Sequence, residues 1–84
     1  GVLNMTKKEK EIMNIALWKM ALLYTRKSQN EKFKANEEYS KGWLDAYYSA
    51  MVSLAMTLHV DLTQLLIDIE EGKYFEDIEI NSHI

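Results

Sequence analysis

The sequence predicts an all-α fold, and three observations carry that prediction. From Ile12 to Tyr24 the chain reads Ile-Met-Asn-Ile-Ala-Leu-Trp-Lys-Met-Ala-Leu-Leu-Tyr, a helix-forming run with apolar residues on more than one side. Proline is absent from all 84 residues, so nothing forces a helix to stop early. Thr6 with Glu9 and Asp61 with Gln64 are polar pairs at the spacing that closes a helix start. The expected architecture is one three-helix domain, a long hairpin of helices A and B with a short helix C, assembled as a dimeric helical bundle.

Helix A is expected from about Lys7 to about Lys27. At 100° per residue, Ile12, Met13, Ala16, Leu17, Met20, Leu23 and Tyr24 form one broad stripe. Ile15, Trp18 and Leu22 form a second, nearly opposite one. Two apolar stripes need two covering surfaces, and a second copy of the chain is the simplest source of the second. Arg26 and Lys27 stand in the last turn, where cations favour the carbonyl end of the helix dipole. Ser28 to Asn36 is polar, with Phe33 and Ala35 as its apolar members, and reads as a bend, the alternative being that with no proline to enforce it helices A and B run on as one long rod. Ser28 and Glu31 are spaced as a second capping box.

Helix B is expected from about Glu37 to about His59, with Tyr39, Trp43, Ala46, Tyr47, Ala50, Met51, Leu54 and Leu58 on its core arc. Gly42, Ala46, Ser49, Ala50, Ser53 and Thr57 make a neighbouring ridge of small side chains. Such a ridge lets another helix approach closely, and a tight helical neighbour is expected there. Helix C, from about Leu62 to about Glu71, carries Leu62, Leu65, Leu66 and Ile69 on one stripe and ends at Gly72. At this length it must pack on A and B to persist. In the tail, residues 73–84, Tyr74 and Phe75 are expected to dock, Ile78, Glu79 and Ile80 alternate loosely, and Asn81 to Ile84 are expected to fray.

Composition narrows the function classes. A hydrophobic content of 48% in a chain this short supplies more apolar surface than a small monomer easily hides, which favours self-association. There is no cysteine, which excludes disulfides and thiolate metal sites and fits a reducing compartment. Asn14, Lys19, Ser49 and Ser53 break the apolar stretches well short of the roughly 20 residues of a membrane span. No secretory signal pattern is evident, and a cytoplasmic location is expected. The chain opens on Gly1 rather than Met, and Met5 reads as an internal start or as part of the native leader. The net charge of −3 hides an asymmetry: residues 1–42 hold nine Lys/Arg against five Asp/Glu, and residues 43–84 hold one Lys against eight. The halves should attract one another, with modest energy per exposed pair.

Residues Leu54 to Leu66, reading Leu-Ala-Met-Thr-Leu-His-Val-Asp-Leu-Thr-Gln-Leu-Leu, resemble the closing helices of phage-repressor-type helix-turn-helix domains. There a Leu-x-Val-Asp/Ser corner precedes a short leucine-containing helix. The likeness covers 13 residues. That family's glutamine-led helix, glycine turn and polar recognition helix have no counterpart in Tyr39 to Ser53. Helix C would offer Ile67, Asp68 and the acids after it to DNA, a poor surface for phosphates. The resemblance therefore implies a capped helical corner, and the chain is not assigned to the family.

No residue cluster specifies a reaction, and neither an enzymatic activity nor a cofactor is expected. His59 reads as a solvated residue at a helix end, and His83 lies in the tail. All-α nucleotide pyrophosphatases bind magnesium through Glu-x-x-Glu and Glu-x-x-Asp pairs. Here Glu38 is followed three positions on by Lys41, and Asp68 with Glu71 is the suitably spaced pair, half of that ligand set. Ser49 and Ser53 are explained by packing. The Tyr39, Trp43, Tyr47, Tyr48 cluster reads as core plus an outward Tyr48, and Met13, Met20, Met51 and Met56 as core filling or an adaptable groove.

The expected function is protein–protein interaction or regulation by a homodimer, of the kind performed by small accessory proteins of bacteria and their mobile elements. Candidate self-association residues are Ile15, Trp18, Leu22, Gly42, Ala46, Ser49 and Ser53. Tyr48, Val52 and Met56 are candidates for a partner protein's surface. The competing expectation is a nucleic-acid-binding regulator that would use Lys7, Lys8, Lys10, Arg26, Lys27, Lys32 and Lys34. Contact with a membrane is not expected.

Overall fold

The computed structural model describes residues 5–73, and within them the chain is helical throughout, with no strand. α1 spans Lys7–Ser28, α2 Glu31–Lys34, α3 Glu37–Leu58 and α4 Leu62–Glu70. The tail expectations for Tyr74, Phe75, Ile78, Glu79, Ile80, His83 and Asn81 to Ile84 lie outside the described residues.

α1 begins with a closed capping box. The Thr6 hydroxyl accepts from the Glu9 amide at 3.1 Å, and the Glu9 carboxylate accepts from the Thr6 amide at 2.9 Å. The buried spine of α1 is Leu17, Ala21 and Thr25, spaced by four residues so that they stack on one line. Thr25 keeps its hydroxyl satisfied there by donating to the Ala21 carbonyl at 2.9 Å.

The three-helix expectation is corrected to four helices among the described residues. Ser28 does not cap α2, because α1 still includes it and its hydroxyl donates back to the Thr25 carbonyl at 2.8 Å. Asn30 caps instead, accepting from the Phe33 amide at 2.9 Å, and the single turn Glu31–Lys34 comes directly after it. Asn36 then caps α3 in the same way, accepting from the Tyr39 amide at 3.1 Å. Two asparagine caps six residues apart thus turn the bend into a short helix between two breaks.

α3 ends at a left-handed residue. His59 has φ 58°, its amide donates to the Met56 carbonyl at 3.3 Å, and the Val60 amide reaches the Ala55 carbonyl at 2.9 Å. These are the two bonds of a Schellman stop, with histidine where glycine is usual. Asp61 then caps α4 by accepting from the Gln64 amide at 3.1 Å, and the chain direction changes by 117° between α3 and α4. The α4 end repeats the device with Gly72 at φ 81°, the Lys73 amide bonding to the Asp68 carbonyl. Here Lys73 and Gln64 also donate side-chain bonds to the Asp68 carboxylate, at 3.1 and 2.9 Å.

Leu17 and Ala21 of α1, Met51, Ala55 and Leu58 of α3, and Leu62, Leu65 and Ile69 of α4 form the core. α1 lies against both α3 and α4. That is why its apolar residues spread so widely: Met13, Met20 and Tyr24 from one stripe and Trp18 and Leu22 from the other all pack on the same core. Much of the cover assigned to a second copy is supplied within the chain, although Ile12 remains 56% exposed.

Candidate interaction surface

α3 presents its ridge of small residues away from the molecule. Its buried residues are Ser40, Met51, Ala55 and Leu58. By steps of 100°, Gly42, Ala46, Ser49 and Ser53 fall on the opposite side. All four are exposed, and a Cβ placed on Gly42 would meet nothing within 4 Å beyond its chain neighbours and the backbone of its own helix. The tight helical neighbour expected for the ridge is therefore not found among the described residues of this chain. The core arc of α3 is corrected accordingly: Tyr39, Ala46 and Ala50 are exposed, and the buried side is rotated by somewhat less than one 100° step.

The ridge has no charge of its own. Glu38, Lys41 and Asp45 lie to one flank, where Met56 is also 71% exposed, and Tyr39, 61% exposed, lies to the other. An outward helix face of about three turns that carries Gly, Ala and Ser in place of Lys and Glu gives nothing to solubility, and it matches what a closely packed helix needs.

The remaining candidates fall in different settings. Trp18 and Leu22 are half-buried against the core, and Ile15 is half-buried. Tyr48, Val52 and Met56 make one line at spacings of four. Val52 packs against the core, the Tyr48 ring sits 5.8 Å from that of Tyr24, and Met56 projects into solvent. Burial, then the neighbouring Tyr48 and Asp45, push the Tyr24 phenol above its usual range.

A second cluster occupies the bend, and the sequence reading missed it. Phe33 meets Tyr39 and Trp43 edge-on, with ring centres 5.9 and 5.4 Å apart, and Trp43 stacks on Tyr47 at 4.6 Å. The Lys27 ammonium caps the group, 4.8 Å from the Phe33 ring centre and 5.8 Å from that of Trp43. Phe33, the one large apolar side chain between Ser28 and Asn36, was the available signal.

The cations expected for a polyanion are divided. Lys7, Lys8 and Lys10 are exposed on the first turn of α1, while Arg26, Lys32 and Lys34 are exposed near the bend. Lys10 and Arg26 are separated by about 24 Å along the helix axis, at 1.5 Å per residue. Lys27 is engaged by the aromatic cluster. His59 is exposed at the end of α3, and among the described residues no three acidic or histidine side chains come together to hold a metal ion. Among the described residues no single helix is long and apolar enough to cross a membrane. No protein-family model matches the chain, and neither a curated protein nor a solved structure shows significant similarity to it.

Proposed function

We propose that this chain is a small protein–protein interaction module that works as a cytoplasmic homodimer and carries out no catalysis. The observation that carries the reading is the outward, uncharged face of α3, with Gly42, Ala46, Ser49 and Ser53 opposite the buried side. Two copies crossing at this ridge would bring their backbones close, and Met56 and Tyr39 would close over its edges. Tyr48 and the remaining apolar surface, including Ile12 and Leu23, are left for a different protein partner.

Light scattering coupled to size exclusion tests it. The expected result is twice the 9.8 kDa chain mass at micromolar concentration. Ala46→Leu with Ser53→Leu should return the mass to that of a monomer without unfolding it. Both positions are exposed in the single chain, where such changes shift stability by only about 0.5 kcal/mol. A wild-type monomer at high micromolar concentration overturns the reading.

A further inference from the structure

We propose that the bend is a switch through which two copies exchange α1. Between Ser28 and Glu37 there is no Gly and no Pro. Gln29 (φ −102°, ψ −1°) and Ala35 (φ −61°, ψ −29°) are already in the right-handed helical region. Asn30 with ψ 114° and Asn36 with ψ 88° depart from it. Turning those two residues to helical ψ joins α1, α2 and α3 into one rod. In such a rod α1 is carried away from its own α3 and α4, and the surface left bare is the one α1 of a second copy fits. All the core contacts of Leu17 and Ala21 are then remade between copies, as in domain swapping through a short hinge.

What holds the hairpin closed is local to the bend. The two asparagine caps exist only while the helix is broken. Phe33 also loses its partners in a rod: Lys27, Tyr39 and Trp43 are six or ten residues away in sequence, and residues at those spacings are not neighbours on a helix surface. The outward ridge of α3 takes no part, so this inference stands apart from the self-association proposed above.

The experiment uses the full chain carrying Ala46→Leu and Ser53→Leu, which blocks the α3 ridge. It is refolded from denaturant at low micromolar and at millimolar concentration, and its mass is then measured. Spin labels at Lys8→Cys and Met56→Cys, diluted into unlabelled chain, report the distance within one copy. In the hairpin that distance lies within the 42 Å long axis of the molecule. In the rod it becomes about 72 Å, at 1.5 Å per residue.

Asn30→Ala with Asn36→Ala should raise the dimer fraction at least about tenfold, since it removes both caps and favours helix at both breaks. Glu37→Pro should lower it at least about tenfold, because proline fits the first turn of α3 and cannot lie inside a continuous helix. If the asparagine variant precipitates, Phe33→Ala takes its place, opening the bend with both caps intact. A chain that stays monomeric at millimolar concentration in the asparagine or the Phe33 variant overturns the proposal. So does a dimer whose labels remain within the hairpin distance.

Discussion

His59 holds the turn out of α3 in a backbone conformation that its Cβ opposes, with φ 58°. Histidine enters this region more readily than most residues, but glycine does so without steric penalty. His59→Gly is therefore expected to stabilise the fold by about 1 kcal/mol, raising Tm by about 4–8 °C in a domain of this size. His59→Val should lower it, since a β-branched residue is worse there than histidine. Thermal melts followed by circular dichroism decide both. Two carboxylates, the exposed Glu9 and the half-buried Asp68, contribute to the acid limb of stability. Glu9 is held below the usual carboxylate range chiefly by the Thr6 amide, and Asp68 by Gln64 and then Lys73. A group whose folded pKa lies below its unfolded one stabilises above the unfolded value, and that contribution disappears as pH falls through the folded one. Stability should thus decline on acidification through and below the ordinary carboxylate range, and Thr6→Ala and Asp68→Asn should each flatten that decline. Parallel acid limbs in wild type and both variants would refute this.

At the level of elements, α4 is short and depends on one residue above others. Leu65 is buried against α1 and α3, so Leu65→Ala should cost about 2–5 kcal/mol. Ile67, two residues on, is exposed, and Ile67→Ala should change stability by only about 0.5 kcal/mol. Urea titrations that ranked the two equally would show that α4 is not docked through this side. Helix starts are legible in the sequence because caps are local chemistry: Thr6 with Glu9 and Asp61 with Gln64 act over three residues. The face that α3 buries is not. The period of Tyr39, Trp43 and Tyr47 shows that they share an arc, but not what that arc touches. Tyr39 and Trp43 pack on Phe33 of α2 rather than in the main core, and a helix of one turn leaves no periodic signal. Ala55 escapes notice because a small residue looks the same on a buried arc as on an exposed ridge. For the same reason the ridge is visible from Gly42, Ala46, Ser49 and Ser53, while its position relative to α1 is not.

For the whole molecule, the charge asymmetry separates the two expected functions. With the cations placed about 24 Å apart along α1, Lys27 turned into the aromatic cluster, and the ion pairs among the described residues made by Lys73, replacing Lys7, Lys8 and Lys10 by Gln should change stability by less than about 1 kcal/mol and remove no nucleic-acid binding. Fluorescence anisotropy with duplex DNA and single-stranded RNA over a salt series checks this. Submicromolar binding near about 150 mM salt, weakened by the substitutions and with a shallower salt slope, would promote the polyanion reading over the homodimer.

The place of α1 between α3 and α4 also sets an order in time. Of the four helices described, α1 leaves the ribosome first and waits longest for the last of its surroundings. Leu17, Ala21 and Trp18 emerge some fifty residues ahead of Ile69, about 3–10 s at ordinary rates of elongation. During that interval an apolar helix stands in water without its cover. Nascent chains arrested before α4 has left the tunnel should therefore be held by chaperones or cut by protease within α1, and release of Leu62 to Glu70 should end both.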